Sequence, residues 1–414
     1  MTHSTDTSAP QTDRRVLAGI DEAGLGPMLG PLLIGAVAIS VPAWDLADES
    51  CLPGQPDLWT PLESCLTGDP RSSDLRTIVC DSKMLHTPKS IKPLEQSVLS
   101  LATAFDAARA ATAATADDAA TAEPSVPATL RDFLQRLSLT PLERFDDYPW
   151  YAGPALDRAL PVEALGERCR QRGITLHRGL DAAGIRLEGL RVRPVLVGEF
   201  NDLLDHTGNK ADAHFSVIAS IIARLWQRFP RLRVVVDRQG GRMYYRDTLR
   251  RCFPQARVKA LVEARTLPKD PPVFGPAHAA AVAARAKEKA KAAAKGKGSS
   301  TKRPAKPGAA VNDRPLYSAY RLTIDDADEP RDMEVVFVEE GERVSMLVAM
   351  ASMFAKYTRE LCVDALNDWW QTKLPSLKPT KGYVLDARRF LDDLRAAGLE
   401  TDIESVRRIL IRNK

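Results

Sequence analysis

The chain has 414 residues, 44% hydrophobic and 27% charged, the proportions of a globular protein built as one enlarged domain or two smaller ones. Its formal net charge of +4 is too small to announce a nucleic-acid partner, and no apolar run approaches the roughly 18–20 residues needed to span a bilayer. The six cysteines (Cys51, Cys65, Cys80, Cys169, Cys252 and Cys362) lack CxxC spacing, which argues against a zinc site or redox pair, and MTHSTDTSAPQTDRR has no secretory apolar region, so the expectation is a reduced, soluble, cytoplasmic protein.

Residues 1–14 read as a disordered leader and 15–414 as one enlarged domain. VLAGID (16–21) predicts a short strand that ends on the acidic pair Asp21-Glu22. A Gly/Pro-rich turn, DEAGLGPMLGP (21–31), leads to LLIGAVAISV (32–41), a strand apolar enough to be buried on both faces. Residues 104–124 fit a marginal helix or a loop, and 129–200 mix short helical stretches with Pro- and Arg-rich turns. The whole of about 104–200 reads as an insertion. FSVIASIIARLWQRF (215–229) has helical spacing, and RLRVVVD (231–237) is a buried-type strand that ends on an acid. ARVKALVEA (256–264), YSAYRLTI (317–324) and MEVVFVEE (333–340) read as strands, and 342–371 as the clearest helix. Residues of about 276–313 form a basic low-complexity insertion, either a solvated linker at a hairpin tip or an arm that tracks a nucleic-acid backbone. The order of elements predicts an α/β domain with a mixed central β-sheet flanked by helices.

Asp21, Glu22, Asp237 and Glu342 stand at the ends of buried strands or the start of an apolar helix. Each has an ordinary explanation by itself: Asp237 as a turn-former, Glu342 as a complement to a helix dipole. Carboxylates gathered at one sheet edge would repel each other, and hard divalent cations such as Mg²⁺ or Mn²⁺ would relieve that repulsion. Two such ions suit phosphodiester hydrolysis by an activated water.

DEAGLGPMLGP (21–31) resembles the opening motif of ribonuclease HII, Asp-Glu-Ala-Gly-Arg-Gly-Pro followed by Gly-Pro. CDSKML (80–85) resembles that family's Asp-Ser-Lys element, VVVD (234–237) its third acidic strand, and KGY (381–383) its C-terminal motif. GERVSMLVAMASMFAKYTRE (341–360) resembles the block in which an acid lies fourteen positions before a lysine; here Glu342 precedes Lys356 by that interval. The chain thus looks like a divergent type 2 ribonuclease H, which implies a ribonuclease H-like fold with large insertions. The resemblance further implies that Asp21, Glu22, Asp237 and Glu342 are the catalytic, metal-binding carboxylates for Mg²⁺ or Mn²⁺. Ser82 and Lys83 would meet substrate phosphates, the Gly24-Leu25-Gly26 turn would approach a phosphate or ribose 2′-OH, and Tyr383 would pack on the sugar. For Tyr383 an ordinary half-buried aromatic is an equal alternative.

The implied activity is endonucleolytic cleavage of RNA in an RNA/DNA hybrid or in ribonucleotide-containing duplex DNA. Leu25 departs from the family's arginine, and Glu342 and DRQ (237–239) are closer to ribonuclease HIII, whose N-terminal substrate-binding domain has no room before residue 16. Two other readings stay open: a catalytically silent nucleic-acid-binding protein, and a metal-dependent nuclease of other specificity.

Overall fold

The computed structural model describes residues 14–42, 56–87, 90–113, 124–267, 316–325 and 329–413. Leader residues 1–13 and the basic low-complexity segment therefore lie outside the described residues. The strands are β1 (Arg14–Ala23), β2 (Leu32–Pro42), β3 (Leu66–Thr67), β4 (Thr77–Ile78), β5 (Arg186–Val195), β6 (Arg231–Asp237), β7 (Arg257–Thr266), β8 (Leu316–Ile324) and β9 (Arg331–Val338). The helices are α1 (Trp59–Leu62), α2 (Ser82–Leu85), α3 (Lys92–Ala113), α4 (Leu130–Leu137), α5 (Gly166–Ala182), α6 (Val197–Thr207), α7 (Lys210–Arg228), α8 (Arg246–Cys252), α9 (Met346–Lys373), α10 (Val384–Ala396) and α11 (Glu400–Leu410). Among the described residues, no helix is long and apolar enough to cross a membrane.

Seven strands form one mixed sheet in the order β5-β2-β1-β6-β9-β8-β7, and β3 pairs with β4 separately. The three central strands β1, β6 and β9 run parallel, while β2, β5, β8 and β7 add antiparallel neighbours. The sheet is therefore of the mixed, helix-flanked kind expected from the order of elements. All the strands anticipated from apolar patterning form, with ends shifted by a few residues.

Three details differ from that reading, and one open alternative is decided. β1 continues through Asp21 and Glu22 to Ala23, because Gly35, Ile34 and Leu33 of β2 go on pairing with it. Residues 186–195, within the stretch read as turns and short helices, form edge strand β5, whose register follows β2 from Leu32 to Ser40. Its many arginines had hidden an alternation of buried and half-exposed positions. The Ala/Thr-rich stretch from residue 104 continues α3 as far as Ala113. Finally, Glu342 does not open the long helix. It lies in a 3₁₀ turn, Gly341–Arg343, and Ser345 caps α9 by accepting the Val348 amide.

Both faces of the sheet are covered. The larger core joins α3, α5, α9 and α10 to the Leu17, Leu33 and Val37 face, and α7 and α8 pack on the Ile20, Ile34, Val234 and Val236 face. β2 is accordingly buried along nearly its whole length. Helix α9 approaches β1 and β2 so closely that only glycine fits at two points. A β-carbon on Gly19 would lie 2.2 Å from the Leu347 carbonyl carbon, and one on Gly35 would lie 2.1 Å from the Ala351 oxygen. Gly35 pairs with Asp21, so the same contact that seats the helix also fixes the strand at its first acid.

Backbone cannot yield to such a clash without a shift of the helix. Gly35→Ala is expected to destabilise the fold by about 1–3 kcal/mol or more, read as a lower midpoint in urea unfolding. An unchanged midpoint would show that α9 is not seated by this contact.

Candidate metal centre

Strand alternation sends successive side chains of β1 to opposite faces of the sheet. Asp21 shares its face with Gly19 and points toward α9, where the nearby Ser352 hydroxyl tempers the upward shift of its carboxyl. Glu22 points the other way, toward α7. Asp237, at the end of the parallel neighbour β6, reaches the same edge. Asp21, Glu22 and Asp237 each bring a carboxylate oxygen within 4.8 Å of the others.

Short contacts hold this arrangement. Asp21 Oδ1 accepts the Glu22 amide at 2.7 Å, and Asp237 Oδ1 accepts the Gly341 amide at 2.7 Å. The second bond ties β6 to the 3₁₀ turn and so sets where Glu342 stands. Glu340 enters that turn in the left-handed conformation (φ 53°), an uncommon state for a residue with a side chain. Glu342 is buried, and its Oε1 accepts from Lys83 Nζ at 2.9 Å.

The electrostatics follow from burial and crowding. Burial, then the Asp237, Glu342 and Glu22 charges, push the Asp21 carboxyl well above its usual range. Burial, then Asp237 and Glu342, raise Glu22 to about 8; burial and Glu342 raise Asp237 to about 7 against the Gly341 amide and Lys83. Burial alone would lower the Lys83 ammonium, but the Glu342 carboxylate outweighs it and the net shift is upward. One cation cannot neutralise four crowded acids, two of them buried and two half-buried, and an all-oxygen donor set of this kind has the chemistry that hard divalent ions favour.

The other residues singled out from sequence fall into two groups. Lys83 stands at the rim with 71% of its side chain exposed, while Ser82 is buried and its hydroxyl lies 3.2 Å from that of Ser352. Ser82 thus supports the Asp21 side of the cluster rather than facing solvent. Gly24 has φ +89°, and a β-carbon there would strike the Arg359 side chain; Gly26 is exposed with open space around it. Leu25 is half-buried against the α7 face of the core. Tyr383 is 53% exposed, with the Arg359 guanidinium 5.8 Å from its ring centre. The Met28 amide donates to the Gly382 carbonyl at 2.7 Å, which lays the KGY segment along the turn that follows the first acids.

Several supports escaped sequence reasoning. Buried Arg412 donates to the Gly24 and Gly30 carbonyls, and Arg359 donates to the Lys381 carbonyl. Glu360, fully enclosed, accepts from Lys356 and Lys381 and lies 3.4 Å from His86; burial would raise its carboxyl, yet these partners hold it well below the usual range. His214 of α7 is wholly buried, with Nε2 3.7 Å from Glu22 Oε2. Burial, then Lys210 and Arg242, lower its pKa to about 3, so the ring is neutral. Among the described residues neither ring nitrogen has a hydrogen-bond partner, nor has Glu22 Oε2, a state that costs about 1–3 kcal/mol per group. The only signal in the sequence is a histidine in the apolar stripe of a helix.

No family model matches the chain, and no curated protein matches it. A solved structure, the PCNA:RNase HII complex from Archaeoglobus fulgidus, aligns over 92% of this chain and 90% of that chain, at 14% identity and a TM-score of 0.32. A superposition that loose carries no inference about fold or chemistry.

The raised carboxyls have a direct consequence for stability. Unfolded carboxylates lose their protons near pH 4, whereas Asp237 and Glu22 keep theirs to about 7 and about 8. Across that window the folded state binds more protons, so raising the pH removes stability. With chelator present, the melting temperature should fall from about pH 5 to about pH 8, and Mn²⁺ should flatten the slope. A metal-free melting temperature that rises through this window would contradict the crowding described above.

Proposed function

We propose that this protein is a metal-dependent endoribonuclease that hydrolyses the RNA strand of RNA/DNA hybrids, on a ribonuclease H-like fold. The observation that carries the reading is the convergence of Asp21, Glu22 and Asp237, with Glu342 electrostatically coupled to them, at one sheet edge. Five segments that resemble motifs of the type 2 ribonucleases H support it, since Lys83 bonds Glu342, the Gly341 amide bonds Asp237 and the Met28 amide bonds Gly382.

The donor set fits Mg²⁺ or Mn²⁺: the ligands are hard oxygens, and Glu22 Oε2 is a buried acceptor with no hydrogen-bond partner among the described residues. Asp21, Glu22, Asp237 and Glu342 would hold the ions. Bound there, such ions activate water for in-line attack on a phosphodiester and stabilise the departing oxygen. The remaining work falls to the chain itself. Lys83, steadied by Glu342, presents an ammonium at the rim where a substrate phosphate would arrive. The turn at 24–26 would turn backbone amides to a phosphate or 2′-OH, and the exposed ring of Tyr383 offers a face for a ribose. In-line attack of water at phosphorus with O3′ as the leaving group, as the resemblance implies, would break the P–O3′ bond and leave a 5′-phosphate and a 3′-hydroxyl. Leu25 has no donor for phosphate, which favours runs of ribonucleotides over a single embedded one.

The basic segment fits an accessory role in the same reading. Residues 268–315 hold eleven basic and three acidic residues, a net of +8 against +4 for the whole chain. Their described flanks, Thr266 and Leu316, pair with each other at the sheet edge where Asp237 pairs with Val338. An arm rooted there would reach a duplex held at the carboxylates.

Two measurements test the reading. Labelled duplexes with one ribonucleotide, with a continuous RNA strand, or with DNA alone should be assayed in Mg²⁺ and Mn²⁺. Only the RNA-containing substrates should be cut, and Asp21→Asn should lower the rate more than a hundredfold, beyond the roughly 10–100-fold typical of groups behind a metal ligand. Tight duplex binding without cleavage in either metal would favour the silent, nucleic-acid-binding alternative; cleavage of plain DNA would favour a nuclease of other specificity. Separately, deletion of 280–310 should weaken hybrid binding mainly at low salt and reduce the slope of log affinity against log salt. An unchanged slope would return the segment to a linker.

A further inference from the structure

His214, Ile218, Ile222 and Trp226 follow one another at four-residue spacing along the buried side of α7. Three of the four positions pack as an apolar helix face should. The fourth places an imidazole at the end of the stripe nearest the carboxylates, where a leucine or phenylalanine would fill the space without two buried polar nitrogens. No hydrogen bond within the described fold explains it, since neither ring nitrogen has a partner. Its nearest acid is Glu22, whose Oε2 is equally unpartnered at 3.7 Å. Two unsatisfied buried polar atoms facing each other are rare in folded proteins and call for a functional reason.

We propose that His214 is a positioning residue that orients the Glu22 carboxylate toward a divalent cation by donating its Nε2–H to Oε2. The inference rests on the metal-dependent reading of the site given above. A shift of roughly half an ångström brings the pair into hydrogen-bond range. The ring is not itself placed as a ligand, because the converging oxygens belong to Asp21, Glu22 and Asp237. It stands behind Glu22, on the α7 side of the sheet, while Ser352 lies beside Asp21 on the α9 side. The two strand-end acids therefore each have a support from a different helix, which the alternation of β1 makes necessary. Groups that orient metal ligands in this way commonly contribute about 10–100-fold to metal affinity.

The test compares His214→Leu, which keeps the packing and removes the donor, with His214→Gln, which restores an N–H. Mn²⁺ binding is measured by calorimetric titration, and the melting temperature of each metal-free protein is recorded. The leucine variant should bind Mn²⁺ at least about tenfold more weakly while melting at or above the wild-type temperature. The glutamine variant should recover most of the affinity. Wild-type affinity in His214→Leu, an equal loss in both variants, or a leucine variant that fails to fold would each mark His214 as a packing residue and overturn the proposal alone. Wild-type protein that takes up no Mn²⁺ would overturn both this inference and the metal-dependent reading.

Discussion

The backbone of α9 rests directly on β1 and β2 at Gly19 and Gly35, and most of the site's geometry depends on that contact. With no β-carbon between them, helix and strands meet at a distance no other residue pair allows. Asp21, two residues beyond Gly19 and opposite Gly35, is thereby held at a fixed height against Ser352. The 3₁₀ turn leading into the same helix carries Glu342, and its Gly341 amide bonds Asp237. One packing decision thus sets three of the four acids relative to each other.

What the packing assembles, electrostatics opposes. The carboxyls of Asp21, Glu22 and Asp237 are pushed upward by burial and by one another, so by themselves these acids work against folding at neutral pH. The surrounding core is large enough to carry that cost, with both sheet faces covered and the central strands buried. Strain of this kind concentrates where a protein binds something that relieves it, and a cation held by oxygens relieves repulsion among carboxylates directly.

Around the acids, a second layer fixes the mobile-looking parts of the sequence. Arg412, close to the chain's last residues, holds the carbonyls of the glycine turn near its beginning, and Arg359 ties α9 to the KGY segment. Glu360 collects Lys356 and Lys381, the latter the first residue of that segment. Residues that looked like independent motifs along the chain are joined through buried arginines and one buried glutamate. Charged groups of this sort are costly inside a protein unless paired, and here nearly all their bonds go to backbone carbonyls or opposite charges.

The sequence by itself determined the apolar strands, the long helix and the candidate acids, because hydrophobic periodicity and a charge at the end of an apolar run are local properties. It also singled out Lys83 and the glycine turn as substrate contacts, whereas the bond from Lys83 to Glu342 came from the tertiary structure. Tertiary structure decided what periodicity cannot encode. β1 runs on past its first acid because β2 continues beside it, and β5 joins the sheet although its arginines read as turn. Ser82 turns inward to Ser352, and Glu342 sits before the helix rather than in it, since a cap at Ser345 fixes where α9 begins. His214 and Arg412 gain their meaning only from neighbours 192 and 388 positions away, Glu22 and Gly24. Such contacts depend on which face of a strand meets which helix, and a linear pattern records the faces without naming the partner.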